Sequence, residues 1–171
     1  FKSAHLKGAL NIINNAKFET WLGAVVNPEE EFYLIAEDEQ ELDIVIRKIA
    51  KIGYEKNIKA GALASDIQLD VQNQLIDLED FKSRPGDYFI LDVRNKSEYQ
   101  SGKFFDHSVN IPLHQLRERV GQITTEKPIV VHCAGGARSA LGTSILYAQM
   151  PGQKVYDLSE AVKNFSEPVN S

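Results

Sequence analysis

The residue types best suited to chemistry lie together in the segment Ile129-Val130-Val131-His132-Cys133-Ala134-Gly135-Gly136-Ala137-Arg138-Ser139. Its order reads as a strand, a loop of small residues and a helix start. A buried strand would deliver Cys133, the single cysteine of the chain, to the carboxyl edge of a sheet, where α/β proteins open their ligand crevices. Gly135 and Gly136 admit backbone dihedrals closed to other residues, so successive N–H groups can turn inward as an anion-binding nest. A helix N-terminus behind the loop and the charge of Arg138 add positive potential, which favours thiolate, the attacking form of cysteine. The same donors would stabilise a second, negatively charged sulfur held on Cys133, so one device would serve both the nucleophile and a covalent intermediate. Ser139 is expected to cap the helix and to donate to the bound sulfur. Free cysteine is also among the most buried residue types, and a lone strand-end cysteine would read as packing. Two glycines, an arginine and a helix start behind it favour the reactive reading.

These residues need a sheet and helices to hold them. Phe32 to Ala36, a short apolar run bounded by acidic residues, suits a buried strand, and Phe89 to Val93 and Ile129 to His132 are apolar runs of the kind found in parallel sheets covered on both faces. Leu42, Val45, Ile46, Ile49 and Ile52 recur at the helical period from Glu39 to Gly53, where glycine suits the helix end. Leu116, Val120 and Ile123 mark a second helical face, and Leu141, Ile145 and Ala148 a third. Pro85-Gly86 signals a turn into the strand that follows. This alternation implies an α/β fold. Strand alternation places His132 on the face opposite Cys133, as a packed residue rather than a tuning imidazolium. His5, His107 and His114 read as surface or hydrogen-bonding residues, and Phe18 with Trp21 as core.

With 24 acidic against 19 basic residues the net charge is -5, which gives no footprint for nucleic acid or an anionic membrane surface. The acidic runs Glu29-Glu30-Glu31 and Glu37 to Glu41 fit a solvated loop and a helix N-terminus. One cysteine excludes an internal disulfide framework, no Cys/His cluster has metal-ligand spacing, and no stretch reaches the ~20 apolar residues of a membrane span. No metal, no nucleic acid, no membrane and a reducing, cytoplasmic setting are the expectations.

Cys133-Ala134-Gly135-Gly136-Ala137-Arg138 resembles the active loop of the rhodanese family. Leu91-Asp92-Val93-Arg94, then Glu98-Tyr99, Gly102 and Asn110-Ile111-Pro112-Leu113, are similar to the family's earlier motifs, so the resemblance covers about residues 75 to 165. Lys103 takes a usual histidine place beside an apparent extra residue, and Glu160, Ala161 and Phe165 replace the glycines and tryptophan of the family's closing pattern. Those departures bear on the pocket rim. The resemblance implies a three-layer fold with a central parallel sheet and a sulfurtransferase with Cys133 as catalytic nucleophile. It further implies a substrate loop of Ala134, Gly135, Gly136, Ala137, Arg138 and Ser139, and supporting roles for Asp92 and Arg94. Thiosulfate or low-molecular-weight persulfides would donate sulfur, thiols, sulfite or cyanide would accept it, and no cofactor would be needed. Two alternatives stand beside it. One is a non-catalytic scaffold; the other is a cysteine-dependent phosphatase or arsenate reductase, disfavoured because such loops are one residue longer between Cys and Arg.

The first half also resembles a rhodanese-like unit through Phe1, His5, Gly8-Ala9, Asn11-Ile12, Phe18 and Trp21-Leu22-Gly23, and residues 4–12 echo residues 102–111. Where its strand Phe32 to Ala36 ends, Glu37-Asp38-Glu39 stand in place of a cysteine loop, and three carboxylates would repel a thiolate and an anionic donor. Residues 1–70 therefore read as an incomplete, catalytically silent unit and residues 71–171 as the active one, with the junction in the polar stretch from Ala64 to Asn73. A silent unit before an active one resembles the tail of fusions that begin with a metallo-β-lactamase-fold persulfide dioxygenase. In that reading non-haem iron belongs to an upstream domain preceding Phe1.

Overall fold

The run Ile129–His132 is buried at every position, as a strand covered on both faces must be. This computed structural model describes residues 4–69, 71–72 and 75–165. Phe1, and Asn73 at the end of the expected junction, lie outside the described residues. In chain order the elements are β1 (Ala4–His5), α1 (Phe18–Val25), β2 (Phe32–Ala36), α2 (Glu39–Ala50), β3 (Ile58–Leu63), β4 (Val71–Gln72) and α3 (Leu78–Ser83). There follow β5 (Phe89–Asp92), α4 (Lys96–Ser101), β6 (Val109–Asn110), α5 (Leu113–Arg119), β7 (Ile129–His132), α6 (Ala137–Gln149) and β8 (Val155–Asp157).

The main sheet is parallel throughout, in the order β6-β5-β7-β8, with Phe89 opposite Ile129 and Asp92 opposite His132. Its side chains alternate between two cores. Leu91, Val93, Ile129, Val131 and Cys133 face a cluster with Leu113, Leu116, Leu141, Ile145 and Leu146 from α5 and α6. Ile90 and Val130 face the other way, toward Phe81 of α3 and toward Leu158 and Val162 around the 3-10 segment Ser159–Phe165. Helical layers on both faces of a parallel sheet make the expected three-layer α/β fold.

In the first half β2 and β3 pair in parallel across α2, while β1 and β4 pair antiparallel. Asp38 caps α2 by accepting from Glu41 N at 2.7 Å, and Glu39 and Glu41 occupy its first turn, as the reading of this acidic run required. Phe18, Leu22, Val25 and Ile49 belong to the same buried cluster as Leu91, Val131 and Leu141, so the core runs across the expected junction. Arg117 of α5 ties the two halves by donating to Val25 O at 2.6 Å and to both carboxylate oxygens of Glu30 at 2.8 and 2.9 Å.

Several expectations need correction. The α5 helix stops at Arg119, and Ile123 enters the core from beyond a 3-10 turn, Val120–Gln122. Ala148 is exposed, because α6 is buried around its whole circumference from Ser139 to Leu146 and emerges only in its last turn. His5 is buried against Tyr147 instead of lying at the surface. The echo between residues 4–12 and 102–111 is not matched in structure: Asn110 belongs to parallel strand β6, whereas Asn11 and Ile12 lie in no strand.

Candidate active site

The β7 strand ends at His132 and the chain turns at once into α6, leaving only Cys133 to Gly136 to make the loop. Such a short connection requires one residue in the left-handed region, and Gly136 takes it with φ of 94° as the N-terminal flanking residue of α6. Gly135 has no positive φ, contrary to expectation, so the tight turn rests on Gly136 alone. The Gly136 N–H donates to Cys133 Sγ at 3.1 Å, and the sulfur is buried at 1% exposure. That bond is the nest in its minimal form: a fixed backbone donor aimed at the reacting atom, at the positive end of a 13-residue helix.

Ser139 does not cap the helix. It sits inside the first turn of α6, fully buried, and its hydroxyl donates to Gly136 O at 3.0 Å. It thereby fixes the peptide on the far side of the residue that donates to sulfur. Ala134 and Gly135 are exposed, Ala137 is half-buried, and the loop opens to solvent on the Ala134-Gly135 side.

Arg138 is held away from a purely sulfur-directed role. Its guanidinium makes a two-bond pair with Glu98 of α4, Nη1 to Oε2 at 2.5 Å and Nη2 to Oε1 at 2.8 Å. The pair holds the Glu98 carboxyl down at about 2, chiefly through the Arg138 hydrogen bonds, and raises Arg138 above its ordinary value. Glu98 also accepts from Asn95 N at 3.1 Å, completing a capping box that starts α4. Glu98 stands in the sequence as part of the Glu98-Tyr99 motif, with no task assigned to it there. The Asn95-x-x-Glu98 spacing was the available signal for its local role, whereas its pairing across 40 residues with Arg138 was not readable.

Asp92 and Arg94, expected in a supporting role, form an ion pair at the carboxyl end of β5. Asp92 is fully buried and Arg94 nearly so, and Asp92 Oδ2 accepts from Arg94 Nη2 at 2.6 Å and Nε at 2.9 Å. Arg94 also donates to Gly102 O at 2.8 Å and lies over the Phe104 ring at 4.5 Å from its centroid. Asn110 closes the same corner by donating to Asp92 O and Arg94 O. This cluster braces the carboxyl ends of β5 and β7 beside the loop; it does not bond to Cys133.

His132 lies on the opposite sheet face from Cys133, as strand alternation required. Its ring meets Phe104 and Phe105 edge-on, with Nε2 3.8 Å from Asp92 Oδ2. Burial pushes it down to about 4, outweighing the attraction of Asp92. The residue is therefore a neutral packed imidazole at neutral pH. Lys103, at the place of the usual histidine, rests its ammonium over Tyr99.

The altered closing segment forms part of the loop's wall. Ser159, with φ of 53°, and Glu160 lie so close to Gly136 that an added Cβ there would stand 3.1 Å from Ser159 Oγ and 3.4 Å from Glu160 N. Among the described residues no group of three or more His, Cys, Asp or Glu side chains could hold a metal ion, and no helix is long and apolar enough to cross a membrane.

The family described as rhodanese-like domain matches residues 74–168, more than half of the chain. An uncharacterized protein of Bacillus subtilis is 32% identical over 68 residues, covering 40% of this chain and 53% of that protein. An HTH-type transcriptional regulator of Mycobacterium tuberculosis is 25% identical over 134 residues, covering 77% of this chain and 58% of the regulator. The chain thus spans about half the length of the curated relatives it matches. Among solved structures, a rhodanese-related protein of Thermoplasma volcanium is 28% identical, with a TM-score of 0.48 over 56% of this chain and 95% of that one.

Proposed function

This chain belongs to the rhodanese-like domain family, and we propose that it is a sulfurtransferase in which Cys133 carries the sulfur. The observation that carries the reading is the Gly136 N–H aimed at Cys133 Sγ within a loop whose next turn is locked by Ser139. In the first half-reaction the Cys133 thiolate attacks the outer sulfur of thiosulfate or of a thiol persulfide. The donor S–S bond breaks, its electron pair leaves on sulfite or thiolate, and Cys133–S–S⁻ remains. In the second, an acceptor thiolate, sulfite or cyanide attacks the terminal sulfur and Cys133 departs as thiolate. Charge moves between sulfurs without any net change in oxidation state, so no dissociable cofactor enters. The Gly136 N–H, at the N-terminus of α6, donates to Cys133 Sγ, the atom that carries the thiolate charge before attack and regains it on release, and a fixed dipole placed there lowers a barrier.

The same proposal covers the wider chain. Residues 1–70 are taken as the silent unit, since β2 leads into Glu37, Asp38 and Glu39 and Asp38 is occupied in capping α2. An upstream persulfide dioxygenase would contribute any iron chemistry, and no step above passes through it. The test of the central claim is intact-protein mass after brief exposure to thiosulfate and to a thiol persulfide, beside Cys133→Ser. A gain of one sulfur atom that requires Cys133 and is removed by cyanide or thiol is the expected result. No gain from either donor overturns the reading.

A further inference from the structure

The charges around Cys133 are arranged unlike a site for a small dianion. Arg138, the only cation of the loop, is paired through two hydrogen bonds with Glu98, so its attraction for an anion is largely cancelled. The pair is also asymmetric toward solvent: the Arg138 side chain is 15% exposed and that of Glu98 35%. A shallow groove along α4 is lined by Arg94, Ser97, Glu98, Ser101 and Gly102; it meets the loop through Glu98, the partner of Arg138, and Arg138 is absent from its wall. Of the nearby cations, Arg94 is matched by buried Asp92 and is itself 7% exposed, and the Lys103 ammonium rests over the Tyr99 ring. A donor approaching along α4 therefore meets a carboxylate and two serines. On the other side of Gly136 the wall is Ser159 and the exposed Glu160.

We infer that Glu98 is a specificity-determining residue that selects the sulfur donor by charge, favouring organic thiol persulfides that carry an ammonium or amide N–H over thiosulfate and over carboxylate-bearing persulfides. The inference rests on the proposed sulfur transfer to Cys133. The reacting atom still finds its dipole, because the Gly136 N–H donates to Cys133 Sγ whatever charge the donor carries. The leaving portion lies farther out, toward the groove. A thiosulfate dianion places its sulfonate there against the Glu98 carboxylate, whereas an ammonium finds its counter-charge and the serine hydroxyls find donors. The step balances as before: the donor S–S bond breaks, RS⁻ leaves, and Cys133–S–S⁻ forms.

The test follows Cys133-dependent sulfur loading by intact mass with three donors at equal concentration: cysteamine persulfide, 3-mercaptopropionate persulfide and thiosulfate. The expected order of initial rates is cysteamine, mercaptopropionate, thiosulfate, with at least about a tenfold spread from first to last at low salt. In Glu98→Gln, where the amide oxygen can still cap α4, the cysteamine-to-thiosulfate ratio should fall by about tenfold. Raising salt to about 1 M in the unmodified protein should compress the same ratio, a check that needs no variant. Equal rates for the three donors, a faster thiosulfate reaction, or a ratio indifferent to both Glu98→Gln and salt overturns the inference while leaving sulfur transfer intact. Loading by no donor overturns the sulfurtransferase reading itself.

Discussion

Acidification should destabilise this protein through His132 while the Glu98 carboxylate stays ionised. The ring is fully buried between Phe104 and Phe105, and burial pushes it to about 4 against an ordinary value of 6.5. A base with a depressed folded-state value binds more protons when unfolded, so the stability present above pH 6.5 is lost as pH falls toward 4. The loss from this one group is about 2 kcal/mol between pH 7 and pH 5, and about 3 kcal/mol by pH 4. Asp92 does not rescue the charged form, because both its oxygens already accept from Arg94. The pH 7 to 5 window also stays above the range in which Glu98 titrates. Urea denaturation at pH 7 and pH 5 should show the drop in the unmodified protein and a flatter response in His132→Leu, which keeps an apolar side chain of similar volume in the strand. Parallel losses in the two proteins would refute the claim that the ring is buried and neutral.

Other perturbations follow from the same geometry. Gly136→Ala places a Cβ on a left-handed residue and against Ser159 Oγ; a loss of about 1–2 kcal/mol from the backbone alone is expected in thermal denaturation, with slower sulfur loading of Cys133. Gly142→Val drives a side chain into Val93 and Val131, which already stand 3.2 and 3.3 Å from where a Cβ would be. Overpacking of about 1–3 kcal/mol should lower the urea midpoint. Arg117→Met removes three hydrogen bonds between the halves but leaves a half-exposed Glu30, so the unfolding free energy from urea denaturation should fall by about 1–2 kcal/mol in a single cooperative transition. Two separate transitions in the unmodified protein would contradict the shared core.

Legibility in the sequence followed the range of the forces involved. The β7 run, the small-residue loop and the start of α6 are local, and their positions were readable because apolar runs and glycines act within a few residues. The two-sided burial of the sheet followed from the same runs, whereas its strand order and register depend on pairing between residues distant in sequence. The tasks of individual loop residues were less readable. Gly135 and Gly136 are alike in sequence, yet only Gly136 turns left-handed. Ser139 looks like a cap, yet α6 begins two residues earlier, since the connection from β7 is too short for any other start. The burial of His5 and the exposure of Ala148 were not readable, because they depend on packing beyond the local sequence, against Tyr147 in one case and at the end of α6 in the other.

The least readable feature is also the one that most shapes the site. Arg138 taken alone is a cation beside a nucleophile, and a cation there argues for anionic donors. Paired with Glu98 it becomes a brace between α6 and α4, and the open end of the pair is the carboxylate. The Arg94 bond to Gly102 O then anchors the other end of α4, and Arg94 is itself fixed by Asp92 beside β7. The α4 helix is thus held at both ends by arginines whose charges are spent on carboxylates. What remains to act on the sulfur is backbone: one N–H and the end of a helix, a source of positive potential that stabilises a single anionic atom without recruiting anions at large.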